Sequence, residues 1–211
     1  MAATELPDVP EQLRRAPSRG RARATIDRLL EAADQILAEE GWQFLATTRV
    51  AEVAEVSVGT VYHWFGDKES IVEALARQYW AELAAVVAEV AEGSQYVDPV
   101  GDVINSLADG FRDRPGFLAL WFSRLRTEQV RDATRPNRLL VGASVVQMLT
   151  RAYPDAAAET RVTVAQMLVL LGDGLLREAF RLDHGGDKAV LSEGQFALNA
   201  YIVERLGTRT T

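Results

Sequence analysis

Residues 56–70 read VSVGTVYHWFGDKES, with Tyr62, His63, Trp64 and Phe65 in unbroken succession. On a helix, successive side chains step about 100° around the axis, so four neighbouring rings point nearly all the way round. A helix of a small domain buries one stripe only. Some of these rings therefore face outward, and exposed rings in a row need a purpose. The flanks define the element. Ser57 stands where an N-cap belongs, with its hydroxyl in reach of the backbone N–H of Gly59 or Thr60. Val56 and Val61 can close a hydrophobic staple across that start. Asp67 has the same relation to KESIVEAL, so a long helix begins near Lys68.

Working upstream, TTRVAEVA over 47–54 suits a short helix with Val50, Ala51 and Ala54 on one face. Before it, Ile26, Leu29, Leu30, Ala33, Ile36 and Leu37 recur at the helical period between Thr25 and Glu40, and Gly41 ends the run. A helix, a short helix, a tight turn and a capped second short helix make a three-helix unit with a helix-turn-helix. In that motif the second helix enters the major groove with its N-terminal residues against the bases. Val61 and Phe65 then share the inward face, while Tyr62 and His63 point toward DNA. The Trp64 ring can lie half-buried while its N–H donates to a phosphate. Gly59 lets the backbone approach the duplex, Val58 can touch a thymine methyl, and Thr60 belongs to the same first turn. Lys68, and Thr47, Thr48 and Arg49 at the start of the first short helix, stand at helix ends that suit a phosphate.

The chain has 211 residues, 48% of them hydrophobic, enough for a real core in one domain or two small ones. No run of 18 apolar residues predicts a membrane span. The polar, acidic start MAATELPDVPEQ is unlike a secretory signal, so a cytoplasmic protein is expected. The absence of cysteine excludes disulfides, thiolate zinc sites and cysteine nucleophiles. A net charge of −7 argues against a polyanion partner until its distribution is read. Residues 12–26 hold five arginines (Arg14, Arg15, Arg19, Arg21, Arg23) and no acid, so the rest of the chain carries −12. Residues 1–22 are expected to be a flexible basic arm, with Arg19, Arg21 and Arg23 reaching the DNA backbone or minor groove.

The remainder reads as helix over 68–92, 100–113, 116–126, 137–152, 157–183 and 190–206, separated by DRPG, TRPN, YPD and DHGGD. The class is all-α. A DNA-binding domain is expected over 23–70 and a larger helical domain over 71–211.

The segment GWQFLATTRVAEVAEVSVGTVYHWFGDKESIVEAL, 41–75, resembles the signature region of the tetracycline-repressor (TetR) family of transcriptional regulators. The resemblance covers about 50 residues, from Arg23 to Leu75, with the helices and DKES in order and spacing. It implies a homodimer whose subunits each carry an N-terminal three-helix DNA-binding domain and a larger domain for ligand and dimerisation. By position, Thr47, Thr48, Tyr62, Trp64 and Lys68 match phosphate-contacting places, and Val58, Gly59 and His63 match places near base edges. One position departs: where the family often has glycine at the turn, this chain has Glu55, which implies either a strained left-handed backbone there or a slightly different turn.

Beyond residue 93 the resemblance is to layout alone. Phe111, Phe117, Trp121 and Phe122, with Met148, Met167, Gln147 and Asp173, are candidates for an apolar effector cavity, the family's place for inducers; plain core packing is the alternative. Asp173 lies in an apolar helix between Gly172 and Gly174, where it needs an arginine, a dimer partner or a ligand group. Val164, Leu168, Leu171 and Leu175, with Phe196, Leu198, Ile202 and Leu206, are candidates for a four-helix dimer interface. His184 beside Asp183 and Asp187 sits in a glycine-rich turn and is not expected to hold a metal. No phosphate loop or nucleophile elbow is present, so neither an enzyme nor a cofactor is expected. The expected function is a ligand-responsive dimeric regulator, a repressor of a palindromic operator released by a largely apolar small molecule. The alternative is a ligand-binding or dimerisation module of the same fold without specific DNA binding.

Overall fold

A computed structural model describes residues 20–93, 98–122 and 128–207, which contain α-helices, one 3-10 turn and no strand. The helices are α1 (Arg21–Glu39), α2 (Thr47–Val53), α3 (Val58–Trp64), α4 (Lys68–Glu92), α5 (Pro99–Arg112), α6 (Pro115–Phe122), α7 (Glu128–Ala152), α8 (Ala158–Leu182) and α9 (Lys188–Leu206). The 3-10 turn, Trp42–Phe44, lies between α1 and α2. The all-α expectation holds. None of these helices is long and apolar enough to cross a membrane.

The chain forms two compact units. The first holds the described residues up to Ala81 together with the stretch Arg114–Thr134; the second holds Glu82–Asp113 and the residues from Arg135 onward. The first unit therefore runs past residue 70 and also takes in α6, because α6 packs along α1. Gly116, the second residue of α6, makes this approach possible. A Cβ there would fall 2.5 Å from the backbone oxygen of Asp34 and closer still to its carboxylate. The Asp34 carboxylate in turn accepts from the Tyr79 hydroxyl, and the Tyr79 ring meets Phe117 at 4.8 Å, tilted by 60°. All six apolar residues expected on the inner face of α1 are buried, each stabilising the fold by roughly 1.5–3 kcal/mol for its larger side chains.

In the second unit α8 and α9 pack closely, and α5 lies against both. Asp98 caps α5 by accepting from Gly101 N–H at 2.9 Å and also receives the Asn199 amide from α9. Gly172 brings α8 toward Ile104 of α5, and Gly194 of α9 leaves room for Leu175 of α8. Phe111 meets Phe180 edge to face at 5.5 Å.

Two boundaries differ from expectation. α1 starts at Arg21 rather than Thr25, so Arg21 and Arg23 belong to a helix and not to an arm. The break expected at TRPN does not occur, since α7 runs through Pro136. An interior proline costs about 3 kcal/mol because it removes an N–H and crowds the preceding turn. Here that preceding turn is anchored: Ala133 and Thr134 are buried, and the Thr134 hydroxyl donates to the Val130 carbonyl at 2.9 Å. Tertiary packing overrides the local preference.

Of the two forms open to the turn between α2 and α3, it takes the left-handed one. Glu55 has φ 53°, the left-handed region. Val56 N–H donates to the Ala51 carbonyl at 2.9 Å and Glu55 N–H to the Glu52 carbonyl at 3.1 Å. These two bonds are the Schellman closure, which requires a left-handed residue at this place and favours glycine. The conformation costs a non-glycine residue about 1–2 kcal/mol, and glycine's extra freedom in the unfolded chain offsets about 0.4–1 kcal/mol. Glu55→Gly is therefore expected to stabilise by about 1 kcal/mol and raise Tm by about 2–4 °C. A thermal melt with unchanged or lowered Tm would show that the carboxylate stabilises the turn in some other way.

Candidate nucleic-acid interface

The four consecutive rings divide two and two. Trp64 and Phe65 are buried at 8% and 1% exposure, while Tyr62 is 48% exposed and His63 is also exposed. Val61, fully buried, shares the inner face with Phe65. Trp64 is thus part of the core, with the His63 ring edge-on to it at 4.7 Å. The Trp64 ring is buried more deeply than the half-buried placement expected, because the inward stripe of this helix takes residues 61, 64 and 65 together.

The start of α3 is built by its cap. Ser57 Oγ accepts from Thr60 N–H at 3.1 Å and shares a second bond with the Thr60 hydroxyl at 2.9 Å. Thr60 is thereby spent on the cap. Val58 and Gly59 stand outward on that first turn, and Val58 is 38% exposed. A Cβ on Gly59 would meet nothing nearer than Ser57 Oγ at 3.7 Å, so the space above it is open. Thr47 Oγ1 donates to the Tyr62 hydroxyl at 3.2 Å, which brings the start of α2 and the middle of α3 to one spot; Thr48 is exposed beside it.

The start of α4 is held by a reciprocal cap. Asp67 Oδ1 accepts from Ser70 N–H at 2.8 Å, and Ser70 Oγ accepts from Asp67 N–H at 3.2 Å. Lys68, the first residue of α4, places its ammonium 4.5 Å over the Trp42 ring.

Two of the arginines expected to meet DNA are engaged by acids. Arg19 lies outside the described residues, as does the side chain of Arg21. Arg23 pairs with Asp27 at 3.4 Å. Arg49 is held by Glu40 at 2.6 Å and Glu52 at 2.8 Å, which ties the end of α1 to α2. The hydrogen bond from Arg49 holds the Glu40 carboxyl below its ordinary value, and Glu40 and Glu52 raise the Arg49 guanidinium further above its own. A carboxylate whose folded value is lowered stabilises above its unfolded value and loses that contribution as pH falls through the folded one. The bracket is therefore present at neutral pH and released only in acid. Arg49→Ala is expected to lower Tm slightly while leaving the salt dependence of DNA binding unchanged. A flatter salt slope would restore Arg49 as a phosphate contact.

The residues expected to line an effector cavity are divided between the two units. Phe117 and Trp121 stack at 5.6 Å inside the first unit. Phe122 is partly exposed there, whereas Phe111 and Met148 are buried in the second unit. Gln147 is exposed and Met167 half-buried. Asp173 pairs with Arg177 one turn along α8, at 3.4 Å. A groove of about 930 Å³ lies in the second unit, lined by Val86, Glu89, Val90 and Gly93 together with Asp102, Asn105, Ser106, Asp109, Gly110 and Asp113. None of the expected residues lines it. The turn after α8 is occupied locally: Asp183 accepts from Gly185 N–H, and Asp187 caps α9 through Val190 N–H.

The expected interface residues on α8 and α9 divide as well. Val164, Leu168, Leu198 and Ile202 are buried within the subunit, and Leu175 packs against Gly194. Leu171 and Phe196 are exposed, Phe196 at 71%, and Leu206 is half-buried. The structure adds Leu170 at 64% and Val203, both exposed and both passed over by sequence reasoning. The spacing of Phe196 and Val203, seven apart, was the signal available for Val203.

Residues 29–75 match the family described as "Bacterial regulatory proteins, tetR family", and residues 94–206 match "Tetracyclin repressor-like, C-terminal domain". The chain is 26% identical over 153 residues to the HTH-type transcriptional regulator UidR of Escherichia coli (strain K12), covering 72% of this chain and 78% of that one. It is 41% identical over 61 residues to the HTH-type transcriptional repressor AcnR of Corynebacterium glutamicum, covering 29% of this chain and 32% of that one. Among solved structures, a TetR-family transcriptional regulator from Streptomyces coelicolor matches with TM-score 0.59 and 26% identity over 86% of this chain and 99% of that one. Salmonella enterica GusR shares the fold with TM-score 0.68 at 20% identity, covering 87% and 98%.

Proposed function

Because the chain belongs to the tetR family of bacterial regulatory proteins, we propose that it is a dimeric transcriptional repressor that reads its operator with α3 and releases it on binding a small molecule. The observation that carries this is the two-sided character of α3: Val61, Trp64 and Phe65 turn inward, and Val58, Gly59, Tyr62 and His63 turn outward from a capped first turn. An outward face with an open glycine and no acid is suited to a close approach to DNA. Thr47, Thr48, Tyr62 and Lys68 serve the phosphates, and Val58, Gly59 and His63 approach the base edges. The basic arm adds sequence-independent affinity. The protein works by binding, with no catalytic step, in the cytoplasm.

Two copies joined through α8 and α9 present two recognition helices to adjacent major grooves, about 34 Å apart for one helical turn. An effector that prefers a different spacing releases DNA in proportion to its differential affinity for the two arrangements. The effector is a small molecule. Repressor action is supported by the likeness to AcnR, a named repressor, over the DNA-binding region.

Fluorescence anisotropy on the DNA upstream of the coding region, beside a scrambled duplex and across salt concentrations, tests this reading. Clear preference for the upstream DNA is expected. Equal, weak, strongly salt-dependent binding to both would instead favour a ligand-binding module with a merely sticky arm. The Gly59→Ala variant sharpens the test. Alanine favours a helix over glycine by up to about 1 kcal/mol, and its methyl has room in the free protein. Stability is thus expected to hold or rise, while operator affinity falls by about tenfold as the methyl meets DNA. Unchanged affinity would mean that this face of α3 does not reach the duplex.

A further inference from the structure

Three cations expected to meet DNA have described side chains: Arg23, Arg49 and Lys68. Two of them are already matched by acids, Arg23 by Asp27 and Arg49 by Glu40 and Glu52. To take a phosphate, each must first part from a carboxylate. Lys68 is held in another way. Among the described residues its ammonium meets no carboxylate and lies 4.5 Å over the Trp42 ring. An aromatic face attracts a cation through its quadrupole. It does not neutralise the charge, and it leaves the ammonium's outer donors free.

The surroundings fix both partners. Trp42 belongs to the 3-10 turn between α1 and α2, immediately after Gly41, whose φ of 91° sets the chain's direction there. Lys68 opens α4, and the Asp67–Ser70 bonds set where that helix starts. A lysine stem is otherwise free to sample many rotamers. The ring selects among them.

We infer that Trp42 is a positioning residue for DNA binding: its indole holds the Lys68 ammonium, its donors not engaged by an acid, where a backbone phosphate arrives. The inference rests on the proposed DNA-binding function and adds to it a residue that does not itself touch DNA. It also explains how a unit whose Arg23 and Arg49 are bracketed by acids retains a cation ready for phosphate.

The test is a double-mutant cycle on the full chain with the upstream duplex, reading affinity at several salt concentrations. The variants are Trp42→Leu, Trp42→Phe, Lys68→Met and the Trp42→Leu/Lys68→Met pair. Lys68→Met removes one phosphate contact and is expected to lower the slope of log K against log salt by about 0.9. Trp42→Leu keeps apolar volume but removes the π face. It is expected to weaken binding by about three- to fivefold and to shift the slope toward that of Lys68→Met. Trp42→Phe, which keeps a π face, is expected to restore most of the loss. In the Lys68→Met background Trp42→Leu is expected to change nothing further.

Additive losses in the double variant, or an unchanged slope in Trp42→Leu, would show that Trp42 only supports the fold and would overturn the inference. A Trp42→Leu chain that melts early is covered by Trp42→Phe: equal affinity loss in both variants, with the slope intact, is again the structural outcome. Wild-type protein that fails to prefer the upstream duplex marks a different failure, that of the DNA-binding reading, and the inference falls with it.

Discussion

Changing Leu170 and Phe196 together to glutamate is expected to convert the proposed dimer to a folded monomer and to lower operator affinity by about 10²–10⁴-fold. Both side chains are well over half exposed, at 64% and 71%, so neither supports the subunit's own core. Large apolar residues exposed along neighbouring helices mark a contact surface, and Leu171 and Val203 extend the same exposed set. Gly174, with nothing within 4 Å of a Cβ built on it, leaves the α8 surface low beside Leu170 and open to a partner helix. A carboxylate at each anchor leaves buried, unpaired charge in any dimer that forms. The large loss on DNA follows from linkage: each half-site contact is weak, and tethering makes the second contact intramolecular. Light scattering after gel filtration reads the mass, circular dichroism the helix content, and anisotropy the affinity. A double variant that still elutes as a dimer would move the interface elsewhere.

The largest stability effect is expected at Gly116, where alanine should cost about 3 kcal/mol and lower Tm by about 6–12 °C. The added methyl would overlap the Asp34 backbone oxygen, which cannot swing aside as a side-chain tip can. Relief requires α6 to lift from α1, the most extensive packing of the first unit. Lifting it also strains the Tyr79–Asp34 bond and the Tyr79–Phe117 contact. Operator affinity at low temperature should change little, because α2, α3 and the start of α4 lie outside this contact. A thermal melt showing a shift under 2 °C would mean that α6 accommodates the methyl by a small slide.

Much of the fold was legible because it is written in local terms. The period of Ile26 through Leu37, the cap residues Ser57 and Asp67, and the left-handed demand at Glu55 each depend on neighbours within a few positions. What the sequence concealed depends on partners far away. Arg49 reads as a phosphate clamp until Glu40, nine residues back, is folded against it. The placement of Phe117 and Trp121 in the first unit depends on α6 being laid on α1, where Gly116 permits the contact. On α8 and α9 apolar residues lie on more than one face, so periodicity alone did not assign Val164 and Leu168 inward and Leu170 outward. Pro136 looked like a break because its local penalty is visible in sequence, whereas the burial of Thr134 that outweighs it is not.

The bond between Thr47 and Tyr62 has a thermodynamic corollary. Two hydroxyls assigned to phosphate already hold one another in the free protein, across two separate helices. Ordering a side chain at an interface costs roughly 0.5–1.5 kcal/mol when it happens on association. Here much of that ordering is built in during folding. Association then becomes an exchange of acceptors, in which one neutral bond gives way to shorter, charge-assisted bonds to a phosphate oxygen. The face behaves as a preorganised receptor, whose rigidity belongs to the folding reaction and whose heat is released on contact with DNA.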